Sequence, residues 1–325
     1  MNTILVTGSS GQIGSELVAA LRSRYGAHNV IATDIRPSAT IRLDGPFEVL
    51  DVNDLQSFHA IARKYNVDTI IHLAALLSAT AEANPLFAWN LNMGGLLNAL
   101  EVAKELNCQF FTPSSIGVFG PDSPKDETPQ VTVQRPVTMY GINKVAGELL
   151  CDYYYRKYGV DTRGLRFPGL ISYLTPPGGG TTDYAVSMFF EAVRSGEYCS
   201  YINKGTFMDM MYMPDAIDAI IQLMEADPAK LINRNAYNVS AMSFDPEMLA
   251  AEIRKVLPDF KLTYNIDPVR EQIAQSWPNS LDISAAQQEW GFKPRYSLEQ
   301  MSYDMLVQIA SRTIESSRES IMKVS

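Results

Sequence analysis

Tyr140 and Lys144 stand about one helical turn apart in Tyr140-Gly141-Ile142-Asn143-Lys144, so they share one face of a helix expected over 137–157. A phenol titrates near pH 10, and a neighbouring ammonium favours its phenolate. The pair can therefore take a proton from an alcohol. Ser115 ends the apolar strand Gln109-Phe110-Phe111-Thr112-Pro113, just after Ser114, and a strand end can bring its hydroxyl to Tyr140 to hold a substrate oxygen. A second set of residues binds rather than reacts. Thr7-Gly8-Ser9-Ser10-Gly11-Gln12-Ile13-Gly14 follows the buried run Ile4-Leu5-Val6 at once. Gly8 permits a tight turn and Gly11 lets backbone N–H groups approach an anion. Gly14 lets the helix entered through Gln12 and Ile13 pack closely on the strand, its positive end facing a dinucleotide diphosphate.

Asp34 closes the next strand, Val30-Ile31-Ala32-Thr33, where a carboxylate accepts both hydroxyls of an adenine ribose and repels a 2′-phosphate. NAD is thereby favoured over NADP, with Arg36 nearby as the one group that accommodates a phosphate. Strand patterns at 4–6, 30–33, 69–73 and 110–111 alternate with helical patterns at 13–25, 55–64 and 93–105. Helices at 137–157 and 215–225 extend the series. This alternation predicts an α/β chain with a doubly wound parallel sheet, the Rossmann fold. The sharpest change of composition is Thr175-Pro176-Pro177-Gly178-Gly179-Gly180-Thr181-Thr182-Asp183. It divides an NAD-binding domain, 1–174, from a smaller lobe, 175–325, that mainly binds substrate. Helices are expected in that lobe at 184–194, 246–256 and 297–313, with segments near 206–240 returning to the first domain.

The 325 residues, 46% of them hydrophobic, suffice for a large core, and the balance of 27 basic against 36 acidic residues, net −9, has no basic stripe. A nucleic-acid partner is excluded on that ground. Cys108, Cys151 and Cys199 are widely separated and show no ligand spacing with His28, His59 or His72, so no metal is expected and the thiols read as reduced. His72, ending a strand, reads as a structural histidine near the cofactor. No apolar stretch approaches the roughly 18 residues that span a bilayer. With a strand beginning near Thr3, leaving no room for a signal peptide, the expected location is cytoplasmic, without a membrane partner.

Taken in order, these blocks resemble the extended short-chain dehydrogenase/reductases, and the resemblance runs through Asp51-Val52, His72-Leu73-Ala74-Ala75, Asn92, Ser114-Ser115 and Arg166-Phe167-Pro168-Gly169. It implies that Asp51 and Val52 flank the adenine and that Leu73, Ala74 and Ala75 line the ribose and diphosphate path. Asn92 braces the site, while Pro168, Gly169 and Leu170 border the nicotinamide beside Tyr140 and Lys144. It also implies a homodimer formed through the helices near 93–105 and 137–157.

Nucleotide-sugar members of that family usually carry Arg-Asp where this chain reads Met208-Asp209, and a methionine cannot clamp a diphosphate. A small substrate is expected. The blocks Pro113 to Gly120, Leu165 to Ser172, Pro177 to Val186 and Met210 to Ala216 resemble the short-chain branch of L-threonine 3-dehydrogenases. That resemblance implies threonine catabolism: NAD-dependent oxidation of the β-hydroxyl of L-threonine to 2-amino-3-oxobutyrate, which a coenzyme A ligase can consume. Thr181 and Thr182 then suit the substrate carboxylate, Asp183 or a nearby carbonyl suits its ammonium, and Ser78 is a further polar position. Glycines 178 to 180 let the loop close. The alternatives are a nucleotide-sugar epimerase or dehydratase and a non-catalytic NAD-sensing protein.

Overall fold

The computed structural model describes residues 1–36, 44–175 and 180–322. Its first half runs β1 (Ile4–Thr7), α1 (Gln12–Tyr25), β2 (Val30–Asp34), β3 (Phe47–Val49), α2 (Leu55–Lys64), β4 (Thr69–His72), α3 (Ser78–Ala83), α4 (Pro85–Leu106), β5 (Gln109–Ser115), α5 (Met139–Tyr158) and β6 (Thr162–Phe167). The second half runs β7 (Gly169–Ile171), α6 (Tyr184–Ser195), β8 (Glu197–Ser200), β9 (Met208–Tyr212), α7 (Met213–Glu225), β10 (Tyr237–Asn238), β11 (Met242–Phe244), α8 (Pro246–Val256), β12 (Lys261–Tyr264), α9 (Pro268–Ser276), α10 (Ser284–Trp290) and α11 (Leu298–Met322).

Seven strands pair in the order β10-β6-β5-β4-β1-β2-β3, and every pairing is parallel. The expected doubly wound Rossmann sheet is present. Residues alternate across it, as the strand period requires. Ile4 and Val6 face α1 and α7 through Leu17, Leu21, Ile220 and Leu223, whereas Leu5, Ile70 and Phe110 face α2, α4 and α5 through Phe58, Leu100 and Cys151. Because β1 and β4 are covered on both faces, they read as near-continuous apolar runs rather than alternating ones, whereas the equally buried β6 carries Arg163 and Arg166. Strand order reverses between β1 and β4, and the crevice beyond their carboxyl ends is where a ligand is received.

Strands β7, β9 and β11 form a three-stranded sheet, and β8 pairs with β12. Together with α6, α8 and α11 they enclose a separate core that includes Phe189, Tyr212, Phe244, Ile253 and Met305. The segment 206–240 is divided: β9 lies in the small sheet, α7 covers one face of the large sheet, and β10 is its edge strand. Met208 is fully buried, as core filling.

Helix α4 begins at Pro85, well before the 93–105 pattern. Its first turn carries Leu86 and Phe87, which are 76% and 61% exposed, so apolar residues point outward there and blur the helical period. Helix α5 begins at Met139 because Thr138 caps it, accepting from the Gly141 N–H at 3.1 Å. Among the described residues, no helix is long and apolar enough to cross a membrane.

Candidate active site

The turn after β1 is held by close backbone contact. Gly8 has φ +67°, and a Cβ placed there meets the backbone N of Ala74 at 2.7 Å; one at Gly14 meets the carbonyl oxygen of Gly8 at 2.3 Å. The first turn of α1 starts from Gly11 with no side-chain cap, so its N–H groups face the crevice. Asp34 sits at the end of β2 and pins the same turn, accepting from the backbone N–H of Ser10 at 3.0 Å.

A cavity of about 230 Å³ is lined by Gly8, Gly11, Asp34, Asp51, Val52 and the segment 73–76. Leu73 and Ala75 also line a second cavity of about 150 Å³, bounded by Gln12, Ile13, Ser78, Ser115, Tyr140, Lys144, Pro168, Gly169, Leu170 and Thr181, Thr182 and Asp183. The two form one groove with an adenosine-sized end and a reactive end. The Nε2 amide of Gln12, buried where α1 begins, has no hydrogen-bond partner among the described residues. An anion-facing helix start, an orphaned amide and a carboxylate beyond the adenine end together fit a dinucleotide. Substituting Asp34 by serine is expected to erode the preference for NAD over NADP by about tenfold, read from kcat/KM for each cofactor.

At the reactive end α5 presses on the turn after β5, where a Cβ at Gly141 meets the Gly117 carbonyl at 2.2 Å. That approach brings the Tyr140 ring and Ser115 Oγ together against Gly117, and the Ser115 hydroxyl also accepts from Gly117 N–H at 3.1 Å. Burial raises the Tyr140 phenol, opposed by a hydrogen bond from Ser115. Lys144 donates to the carbonyl of Pro113 at 2.6 Å, and its Nζ lies 5.5 Å from the centre of the Tyr140 ring. Desolvation lowers the ammonium to about 8, partly offset by Glu148.

Asn92, 8% exposed, accepts from Leu76 N–H at 2.8 Å and donates to Asn143 Oδ1 at 3.0 Å, tying the cofactor-lining segment to α5. His72 is buried against Thr7, Nδ1 to Oγ1 at 2.9 Å, and burial pushes its ring down to about 3, so it is neutral. The Thr181 hydroxyl is buried, lines the reactive end and has no partner among the described residues. Asp183 accepts from Gly180 N–H at 2.7 Å, closing the turn that carries Thr181 and Thr182. Pro176, Pro177, Gly178 and Gly179 lie outside the described residues. No group of three or more metal-ligating side chains occurs among the described residues, and the three cysteines are free.

Four residues of the site carried no assignment from sequence. Asn143 partners Asn92, Trp277 lines the reactive end, and Glu148 and Arg166 form a buried pair behind Lys144. Asn143 and Glu148 follow Tyr140 on the same helix and could have been found by extending its inward face. Trp277, just beyond α9, has no local signal, since only the tertiary packing of the small lobe brings it there.

The model of the NAD dependent epimerase/dehydratase family matches residues 4–240. A Staphylococcus saprophyticus protein described as an uncharacterized epimerase/dehydratase is 63% identical over 308 residues, 94% of this chain and 96% of that protein. The structure of L-threonine dehydrogenase from Clostridium difficile superposes with a TM-score of 0.94 at 61% identity, covering 96% of this chain and 98% of that one. That of L-threonine dehydrogenase from Phytophthora infestans gives 0.92 at 46% identity, covering 95% and 99%.

Proposed function

We propose that this chain, which belongs to the NAD dependent epimerase/dehydratase family, oxidises the β-hydroxyl of L-threonine to 2-amino-3-oxobutyrate. The observation that carries this reading is the small reactive end of the groove, where Ser115, Tyr140 and Lys144 meet the buried hydroxyl of Thr181, which has no partner among the described residues. Two threonine dehydrogenase structures of high similarity support it.

NAD, when bound, supplies the acceptor for the hydride that leaves the alcohol carbon. Ser115 holds the substrate hydroxyl, and Tyr140 takes its proton as the C–H bond breaks. The Lys144 ammonium, anchored on the Pro113 carbonyl, favours the phenolate against the burial that opposes it. Pro168, Gly169 and Leu170 form the edge that orients the reacting ring, and Asn92 keeps the cofactor-lining segment 73–76 in register. Thr181 and Thr182 receive the substrate carboxylate, and the Asp183 carboxylate draws its ammonium to the same turn, with Ser78 across the cavity.

Absorbance at 340 nm after mixing the chain with NAD and L-threonine tests the assignment, beside UDP-sugar controls whose conversion is followed by chromatography because epimerisation returns the hydride; no reduction with threonine would refute it. Thr181→Ala is expected to raise the KM for threonine by about tenfold, leaving the KM for NAD little changed, because a hydrogen bond to a charged group is lost. An unchanged threonine KM removes Thr181 as the anchor. The exposed Leu97, Ile142, Leu149 and Tyr153 on α4 and α5 support a homodimer through these helices, which light scattering of the purified chain checks.

A further inference from the structure

Behind Lys144 lies a carboxylate that the reaction scheme above leaves unused. Glu148 is one turn along α5 and only 7% exposed. It accepts from Arg166 Nε and Nη2 at 2.9 and 2.8 Å, from Gln134 Nε2 at 2.8 Å, and from the Ser114 hydroxyl. Ser114 is the neighbour of Ser115 in β5, and Arg166 stands near the end of β6, just before Pro168 and Gly169. One carboxylate thus ties together the three segments that deliver the base, the substrate-holding hydroxyl and the nicotinamide edge. Glu148 and Lys144 also line a common internal cavity of about 40 Å³, to which Ser114 and Asn143 contribute.

We propose that Glu148 is a positioning residue for the reaction, which clamps the ends of β5 and β6 to α5 and supplies the counter-charge to Lys144. This inference rests on the roles proposed above for Ser115, Tyr140 and Lys144. The charged and titratable groups facing Lys144 are few. On its own helix they are Tyr140, Glu148 and the Cys151 thiol, which burial keeps protonated; on β4 it is His72, which is neutral. On β6 it is Arg166, which bears on Lys144 through Glu148 and does not line their shared cavity. Asp183 lines the reactive cavity with Lys144 from the turn before α6 but does not bear on its charge, so Glu148 is the carboxylate placed to hold a proton on a buried amine that desolvation has already brought down to about 8.

The titration of Lys144 in the full chain without cofactor, followed by NMR of 13Cε-labelled lysine and identified by the signal lost in Lys144→Met, reads this role directly. In Glu148→Gln the midpoint is expected to fall by about one pH unit or more. The falling alkaline limb of kcat/KM should move down with it, because Lys144 loses its proton sooner. Breaking a buried pair can prevent folding, so the double variant Glu148→Gln with Arg166→Met, which removes both charges, is the second arm. Its midpoint should also fall, by less, since the farther positive charge leaves as well. A midpoint that does not fall in whichever of these variants folds overturns the proposal, since a purely structural role lowers stability without moving the titration. A midpoint that falls, in a protein that never oxidises threonine, upholds Glu148 and rejects the substrate assignment instead.

Discussion

Replacing Tyr140 by phenylalanine is expected to lower turnover with threonine about a thousandfold while leaving NAD binding within about tenfold of its original strength. The substitution removes one oxygen and keeps the ring that packs against Gly117, so the turn bearing Ser115 stays in place. Neither of the nearest basic side chains can replace the lost base. His72 is buried against Thr7 and neutral, and Lys144 is committed to the Pro113 carbonyl. The diphosphate cradle, built from Gly8, Gly11 and Gly14 with the start of α1, lies at the far side of Leu73 and Ala75 and is untouched by the change. Calorimetric titration with NAD and the rate of absorbance increase at 340 nm measure the two quantities separately. Turnover that survives in Tyr140→Phe would remove the phenol as base and turn attention to Asp183, the carboxylate that lines the same cavity.

The residues whose roles depend on backbone geometry were the most legible. Gly8 and Gly14 mark a cradle because a tight turn followed by close helix packing tolerates no side chain at those two points, and the contact distances agree with that physical reason; Gly11 is less constrained. Strands β1 and β4 were legible for a related reason, since a parallel strand covered on both faces must be apolar throughout. Legibility failed where apolar residues face outward. Leu86 and Phe87 on the first turn of α4 hid the helix start, and β8 and β12, at 4 residues each, are too short for their alternation to stand out. It failed again where a side chain arrives from far along the chain. Trp277 reaches the cavity only through packing with Ile116, Val118 and Leu281, and the pairing of Arg166 with Glu148 depends on β6 lying beside β5. Thr181 stands between these cases: its neighbourhood drew notice by composition, but only burial without a partner singles out its hydroxyl.

Gly14→Ala is expected to weaken NAD binding about a hundredfold and to lower the melting temperature, a larger loss than one methyl group ordinarily causes. The new Cβ falls 2.3 Å from the Gly8 carbonyl oxygen and 2.7 Å from Ser9 Cα, both backbone atoms of the turn that the helix must cover. That turn cannot retreat, because Gly8 itself holds a left-handed φ and lies where even a Cβ would stand 2.7 Å from the Ala74 N. Helix α1 therefore has to slide outward, taking its first-turn N–H groups away from the anion and loosening Leu17 and Leu21 from β1. Gly11→Ala is the matched control: its Cβ meets only the Gly8 carbonyl, at 3.2 Å, so a shift of a few tenths of an ångström relieves it and NAD binding should weaken by no more than about tenfold. Calorimetry with NAD and thermal unfolding of both variants decide the matter. Equal affinities in the two would mean that α1 approaches the turn less closely than these contacts require, and that the diphosphate is held by side chains rather than by the helix start.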